Sequence, residues 1–386
     1  MKKTMIRRLA ALLLCCLLLP CALTSCGPEK VMQSDGKSID ADLYRYWMIT
    51  FKAYFQSQFA DIDGSDESWN QPTTDGRTAA EYVADYTRNF AENALCVLSL
   101  CDRYGLSLSE AKEQEISDYI DEIVTYQFDG VRSDFAAELK KTYGITIAKL
   151  REAYEIEAKF TLLREYLFGE NGPLKVSDDA LDEYYRENYL HFQFIYINTE
   201  FKYDLDEKGN YKTDPATGYY LTPALTDEER AEKLARLDEA KARIESGEAF
   251  ADVAAAYGEF DTASLAPEGF YLRRSAYADL SAAGYSAAVL KALFAMQPGE
   301  VLTMTERDMN TNYPGSFLLL SLPLGDAPYQ NGADATKEQF SDMREQVETA
   351  AFEDLLRETR AKIETNEELL KAYTVFNVPN GLSYLK

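Results

Sequence analysis

The chain has 386 residues, 65 Asp and Glu against 40 Lys and Arg, and a formal net charge of −25. Such an acidic surface repels polyanions, so nucleic acid and anionic lipid headgroups are excluded as principal partners. With one histidine, no Gly-x-Ser-x-Gly elbow and no phosphate-cradling glycine loop, neither a metal nor a cofactor is expected.

The front of the chain reads as an export signal. Lys2, Lys3, Arg7 and Arg8 form a basic region, Leu9 to Leu19 an apolar stretch too short to span a bilayer comfortably, and Leu23-Thr24-Ser25-Cys26 a lipobox. Residues 1–25 are then a lipoprotein signal peptide, Cys26 carries the lipid, and the mature chain works outside the cytoplasm, anchored to the bacterial cell membrane. A leader cleaved without lipid, or a signal anchor, is the plainer alternative. Losing the four basic residues takes the net charge from −25 to −29. Cys15, Cys16 and Cys21 leave with the leader, so only Cys96 and Cys101 remain as thiols. In a helix their Cα atoms are more than about 7 Å apart, beyond disulfide reach, and they read as small buried apolar residues.

Residues 26–38 lack an apolar period and read as a tether. Helices follow in order. Asp40 caps a run with Leu43, Trp47, Ile49, Phe51, Tyr54, Phe55 and Phe59 on one broad face, and the polar segment Asp61 to Thr78 interrupts it. Further helices span Ala79 to Tyr104 (ended by Gly105), Ser109 to Phe128, Ser133 to Tyr143 and Thr146 to Phe168, giving an all-helical region. Gly172-Pro173 marks a boundary. Ser177 to Asn188 is a short helix, His191 to Ile197 alternates as a strand, and residues 201–223 form a hairpin-like excursion. Its Asp204-Leu205-Asp206 start is only faintly like a calcium loop, because the twelfth position is Pro215. Helices over Asp227 to Ser246 and Phe250 to Tyr257, a strand at Gly269 to Leu272, a helix over Ser286 to Met296 and a strand pair ending at Leu322 complete an α+β module. Lys337 to Asn366 reads as one long amphipathic helix, whose apolar stripe is expected to pack on the N-terminal helices.

Three stretches carry a family resemblance. Residues 176–188 form a lead-in before the first strand. Residues 240–257 hold Gly247-Glu248-Ala249-Phe250 between two helices, and Leu293-Phe294-Ala295-Met296-Gln297-Pro298-Gly299-Glu300-Val301 ends a helix in a turn. This pattern resembles the extracytoplasmic foldases of the PrsA and SurA type, which carry a parvulin-like (PpiC-type) peptidyl-prolyl isomerase domain. The resemblance implies a multidomain α + α+β fold: an N-terminal helical chaperone domain over 39–172, an inserted parvulin-like domain over 173–328, and a C-terminal helix and tail, 329–386, packing on the first domain.

The departures are chemical. The family's first strand carries a histidine where this chain has Gln193 or Phe194, and Leu318 falls at the second histidine position, so isomerase activity is expected to be weak or lost. Candidate catalytic residues are Glu259, Asp261 and His191; each is equally read as a solvated loop or strand-end residue. Phe270, Tyr271, Val289, Phe294 and Met296 are the candidate substrate pocket, and each is equally expected as core. The 27 tyrosines and 19 phenylalanines suit transient gripping of unfolded chains, although core filling accounts for many of them. The expected function is a membrane-anchored folding factor whose partners are unfolded or partly folded exported polypeptides. A surface solute-binding or adhesion lipoprotein is the alternative, and it calls for one deep pocket with convergent polar groups.

Overall fold

The computed structural model describes residues 29–59, 61–73, 76–382 and 385. The leader, the lipobox and Cys26 lie outside the described residues. The chain divides into two compact units, Met1–Lys175 with Ala350–Lys386, and Val176–Thr349.

In the first unit the residues read as a tether are a β-hairpin from Lys30 onward. β1 (Lys30–Ser34) pairs antiparallel with β2 (Lys37–Asp40) around Asp35-Gly36, whose φ angles of 47° and 79° suit a tight two-residue hairpin turn. Its order comes from burial: Val31, Met32 and Ile39 are at most 1% exposed. β7 (Glu364–Thr365) adds to the other side of β1, giving the order β2-β1-β7. The region expected to be all helical therefore contains a small sheet that joins its N-terminal and C-terminal segments.

Helices Ala41–Gln58, Ala79–Tyr104, Glu110–Gln127, Arg132–Thr142 and Ile147–Phe168 build the rest of this unit, with the short Asp66–Trp69 between the first two. Their starts are explicable residue by residue. The Asp40 carboxylate accepts from the Leu43 N–H at 3.0 Å, and Thr78 and Glu81 form a reciprocal capping box. Gly105 adopts φ 67° and ends the second long helix in the left-handed region. Tyr44, Trp47, Met48, Trp69, Phe135 and Tyr143 fill the interior. The C-terminal tail completes it: buried Lys52 donates to the Val378 carbonyl at 2.9 Å, and the Leu382 N–H donates to the Tyr143 hydroxyl at 2.8 Å.

Phe352 and Leu356 pack with Val97, Leu100, Leu163 and Leu167. Cys96 and Cys101 belong to the same cluster as free, buried thiols; burial pushes Cys96 up to about 11 and raises Cys101 as well.

The long C-terminal helix is not continuous. Asp334–Glu338 stops, Met343–Arg360 starts afresh, and the chain then enters β7. The break lets Gln339 turn its amide onto a strand edge described below, a tertiary bond that helix periodicity does not encode.

The second unit centres on a four-stranded antiparallel sheet of order β4-β3-β6-β5, made of β3 (Tyr189–Ile197), β4 (Phe270–Arg273), β5 (Val301–Glu306) and β6 (Gly315–Leu322). Helix Asp178–Asn188, capped by Ser177, leads into β3. Helices Asp227–Glu245 and Phe250–Tyr257 precede β4, and Ala287–Ala295 precedes β5. The excursion over 201–224 is an irregular ribbon, bridged at Phe201↔Ala224, Leu205↔Tyr211 and Thr213↔Tyr220.

Candidate functional site

Alternation along the strands sorts the side chains of this sheet onto two faces. Ile195, Ile197 and Leu318 face helices Asp227–Glu245 and Phe250–Tyr257, where Leu237, Ala240, Val253 and Ala254 cover them. The opposite face carries Leu190, Phe192 and Phe194 from β3, Phe317 and Leu319 from β6 and Met304 from β5, beside Val289, Leu293 and Phe294 of the helix Ala287–Ala295 and Met296 just after it. The register brings them together: Phe192 pairs with Phe270, and Met304 with Phe317. The Phe270 ring is 5.3 Å from Phe194 and 5.8 Å from Phe192, and Phe194 is 6.4 Å from Phe317.

All four phenylalanines are half-buried, so part of each ring stays open to solvent. None of these strand side chains titrates or donates a hydrogen bond. At the rim, Arg274 donates to the Phe294 carbonyl at 3.4 Å.

The residues singled out in the sequence are distributed unevenly around this face. Val289, Phe294 and Met296 belong to the cluster, and Phe270 joins it through ring contacts. Tyr271, next along β4, points the other way. It stacks on His191 at 4.1 Å with 7° between the planes, and packs against Tyr185 and Phe340 in a separate cluster.

His191 is held by backbone: Nδ1 lies 2.9 Å from the Pro323 carbonyl oxygen and Nε2 2.6 Å from that of Glu268. Glu259 accepts from the Asn198 N–H at 2.9 Å and from the Lys233 ammonium at 2.6 Å, fastening the exit of β3. Asp261 caps the short helix Thr262–Leu265 by accepting from the Ser264 N–H at 3.1 Å, and the Ser264 contacts hold its carboxyl below the usual range. His191 and Asn198 sit at opposite ends of β3, about 23 Å apart at ~3.3 Å per residue. A histidine at one end and the Glu259 carboxylate at the other cannot act on one bond.

Gln193, Phe194 and Leu318 are divided between the two faces. Of Gln193 and Phe194, Phe194 lies on the aromatic face. Leu318 is 0% exposed on the helix-covered side, whereas Phe317 and Leu319 of β6 lie on the opposite face with Phe194. Phe192, Phe317 and Met304 were not singled out in the sequence; the period-two placement of Phe192 and Phe194 is the signal that puts those two on one face.

Two further features bound the chemistry. Among the described residues, no group of three or more His, Cys, Asp or Glu side chains is placed to hold a metal ion, and no helix is long and apolar enough to cross a membrane. In the first unit, a cavity of about 410 Å³ is lined mainly by apolar side chains, including Phe55, Phe59, Ile62, Tyr82 and Val83, with Asp61 among the polar ones.

No family model and no curated protein matches the chain. Solved structures to which it is similar include PrsA from Bacillus subtilis, at 19% identity and TM-score 0.23 over 77% of this chain and 93% of that one. The foldase protein PrsA from Streptococcus pneumoniae str. Canada MDR_19A is similar at 13% identity and TM-score 0.23, over 78% and 97% of the two chains. The foldase protein PrsA from Lactococcus lactis is similar at 11% identity and TM-score 0.24, over 89% and 98%. At TM-scores this low the likeness fixes neither fold nor activity.

Proposed function

We propose that the chain is an extracytoplasmic protein-folding factor, anchored through a lipid on Cys26, that holds segments of non-native exported polypeptide on the aromatic face of its four-stranded module. The observation that carries this reading is the set of four adjacent, half-buried phenylalanines on one sheet face, with Met304 and Met296 beside them. Methionine and phenylalanine adapt to many apolar side chains with few rotatable bonds to fix. The resemblance of residues 176–188, 240–257 and 293–301 to the PrsA and SurA type supports the same assignment, and the helical unit is then the chaperone domain.

Magnitudes favour a transient grip. Opening of about a quarter of each ring, at ~200 Å² per aromatic side chain, would leave roughly 200 Å² over four rings, worth about 5 kcal/mol at ~25 cal/mol per Å² before ordering costs. That corresponds to binding near the millimolar end of the micromolar-to-millimolar range, which suits a holder that must release its client.

Catalysis of proline isomerisation is a harder task. Rotation about an X-Pro bond crosses a barrier of about 18–20 kcal/mol, and hydrogen bonds to the twisted amide are the usual means of lowering it. Phenylalanine at both central strand positions offers none, so isomerase activity is weak or lost.

The test uses the mature chain, residues 26–386, with reduced lysozyme as an aggregating client and a protease-coupled proline-isomerisation assay. Suppression of aggregation without accelerated isomerisation supports the reading. Efficient isomerisation overturns the holding-only assignment, and failure to suppress aggregation overturns the folding-factor assignment.

A further inference from the structure

The two edges of the four-stranded sheet are treated differently. At the β4 edge, the Tyr271 N–H donates to the Gln339 side-chain oxygen at 2.8 Å, and the Gln339 amide nitrogen donates to the Gly269 carbonyl at 3.3 Å. Arg273 pairs with Asp342 at 2.7 Å across the same edge. The segment after helix Asp334–Glu338 thus takes up the peptide groups that β4 would otherwise leave open.

β5 has no such cover. Among the described residues β6 is its only strand neighbour, and the register from Val301↔Leu320 to Glu306↔Gly315 runs without a shift. The phase of the ladder follows from its start: the Gly299 N–H donates to the Ser321 carbonyl at 2.8 Å, and the Ser321 N–H donates to that of Glu300 at 3.0 Å. Ser321, Leu319 and Phe317 therefore direct their peptide groups at β5. Opposite them, Leu302 and Met304 point back at β6, so Val301, Thr303 and Thr305 point their N–H and C=O groups away from the sheet. Among the described residues no group outside the ladder hydrogen-bonds to these three.

Natural edge strands are commonly blunted by lysine, proline, a bulge or a covering segment. Val301-Leu302-Thr303-Met304-Thr305-Glu306 contains no lysine or proline, and its one charge, Glu306, is engaged with the Ser286 hydroxyl and the Asp308 N–H.

We propose that β5 is a docking edge for an extended polypeptide segment of neutral or basic character, which adds as a fifth strand while its alternate side chains lie beside Leu302 and Met304 at the margin of the aromatic face. This deepens the proposed function and rests on it. Only a polypeptide presents donors and acceptors at the spacing the open edge requires. Charge selects among polypeptides: at −25, a second copy of this chain is repelled, as are acidic partners, whereas a neutral or basic strand is not. The occupied edge is continuous with the proposed site, because Met304 on β5 and Phe317 on β6 are paired neighbours on the aromatic face. Ladder bonds to the main chain are indifferent to side-chain identity, which is what a holder of varied clients needs.

The experiment uses the mature chain and a fluorescein-labelled peptide, Lys-Val-Thr-Phe-Thr-Val-Thr-Phe-Lys, with two versions N-methylated on alternate sets of residues so that each blocks one edge of the peptide. The parent is expected to bind and to slow amide exchange at Val301, Thr303 and Thr305, and at least one N-methylated version to bind at least tenfold more weakly. Met304→Ala should weaken the parent and both methylated versions alike. Equal binding of all three peptides without slowed exchange overturns the edge while leaving the aromatic holder standing. Absence of parent binding, together with unsuppressed lysozyme aggregation, overturns both. Protection of the same three amides that rises with protein concentration in the absence of peptide assigns the edge to a second copy and overturns the commitment to a client.

Discussion

Consecutive residues of β6 live in opposite environments. Leu318 is 0% exposed beneath two helices, whereas Phe317 is half-buried on a face that no helix closes completely. The aliphatic face holds the module together; the aromatic face buries Leu319 and Leu293 as well but keeps four rings partly open, and so has area left to bind with. Leu318→Ala is expected to have the largest effect on stability, a loss of about 3 kcal/mol, read from urea unfolding. Phe194→Ala is expected to cost less, about 1–2 kcal/mol for a half-buried ring, and to weaken binding of an extended apolar peptide roughly tenfold. If Phe194→Ala destabilises as much as Leu318→Ala and leaves peptide binding unchanged, the two faces are alike and the aromatic one is simply core.

Much of this contrast was legible in the residues. The caps at Asp40, Thr78 and Ser177, the stop at Gly105 and the alternation of β3 follow from local chemistry. The hairpin before Asp40 was also encoded, since Asp35-Gly36 lies between Met32 and Ile39, but a short segment with few apolar residues reads as a tether until its two or three apolar side chains find a core. The break after Glu338 was not legible, because it answers the open peptide groups of β4, far away in sequence. Register was the other gap. A run of leucines at 318–320 gives no local sign of which member faces which side, and a one-residue slip would exchange Phe317 and Leu319 for Leu318 on the aromatic face.

His191 sharpens the point, because residue type alone suggested chemistry where the structure shows two backbone carbonyls and a stacked Tyr271. His191→Gln is expected to cost about 1 kcal/mol, the worth of a hydrogen bond, and to leave both peptide binding and proline-isomerisation rate unchanged. A change in either activity without loss of stability would return His191 to the functional site.

The smallest effect is expected at Asp261, and its pH dependence identifies its role. The Ser264 hydroxyl and N–H favour the ionised carboxylate and hold its titration below the ordinary aspartate value of about 3.9. A group depressed on folding contributes stability above its unfolded value, and that contribution disappears as the pH falls through the depressed native value. Asp261→Asn keeps a side-chain oxygen for the cap but loses the charge. Unfolding midpoints of the two proteins should therefore differ slightly near neutral pH and converge as the pH falls through the depressed native value, with peptide binding the same in both. A difference that persists in acid would mean that the side chain acts through packing. Loss of peptide binding in the variant would place the Asp261 carboxylate at the aromatic face, away from the cap that it makes with Ser264.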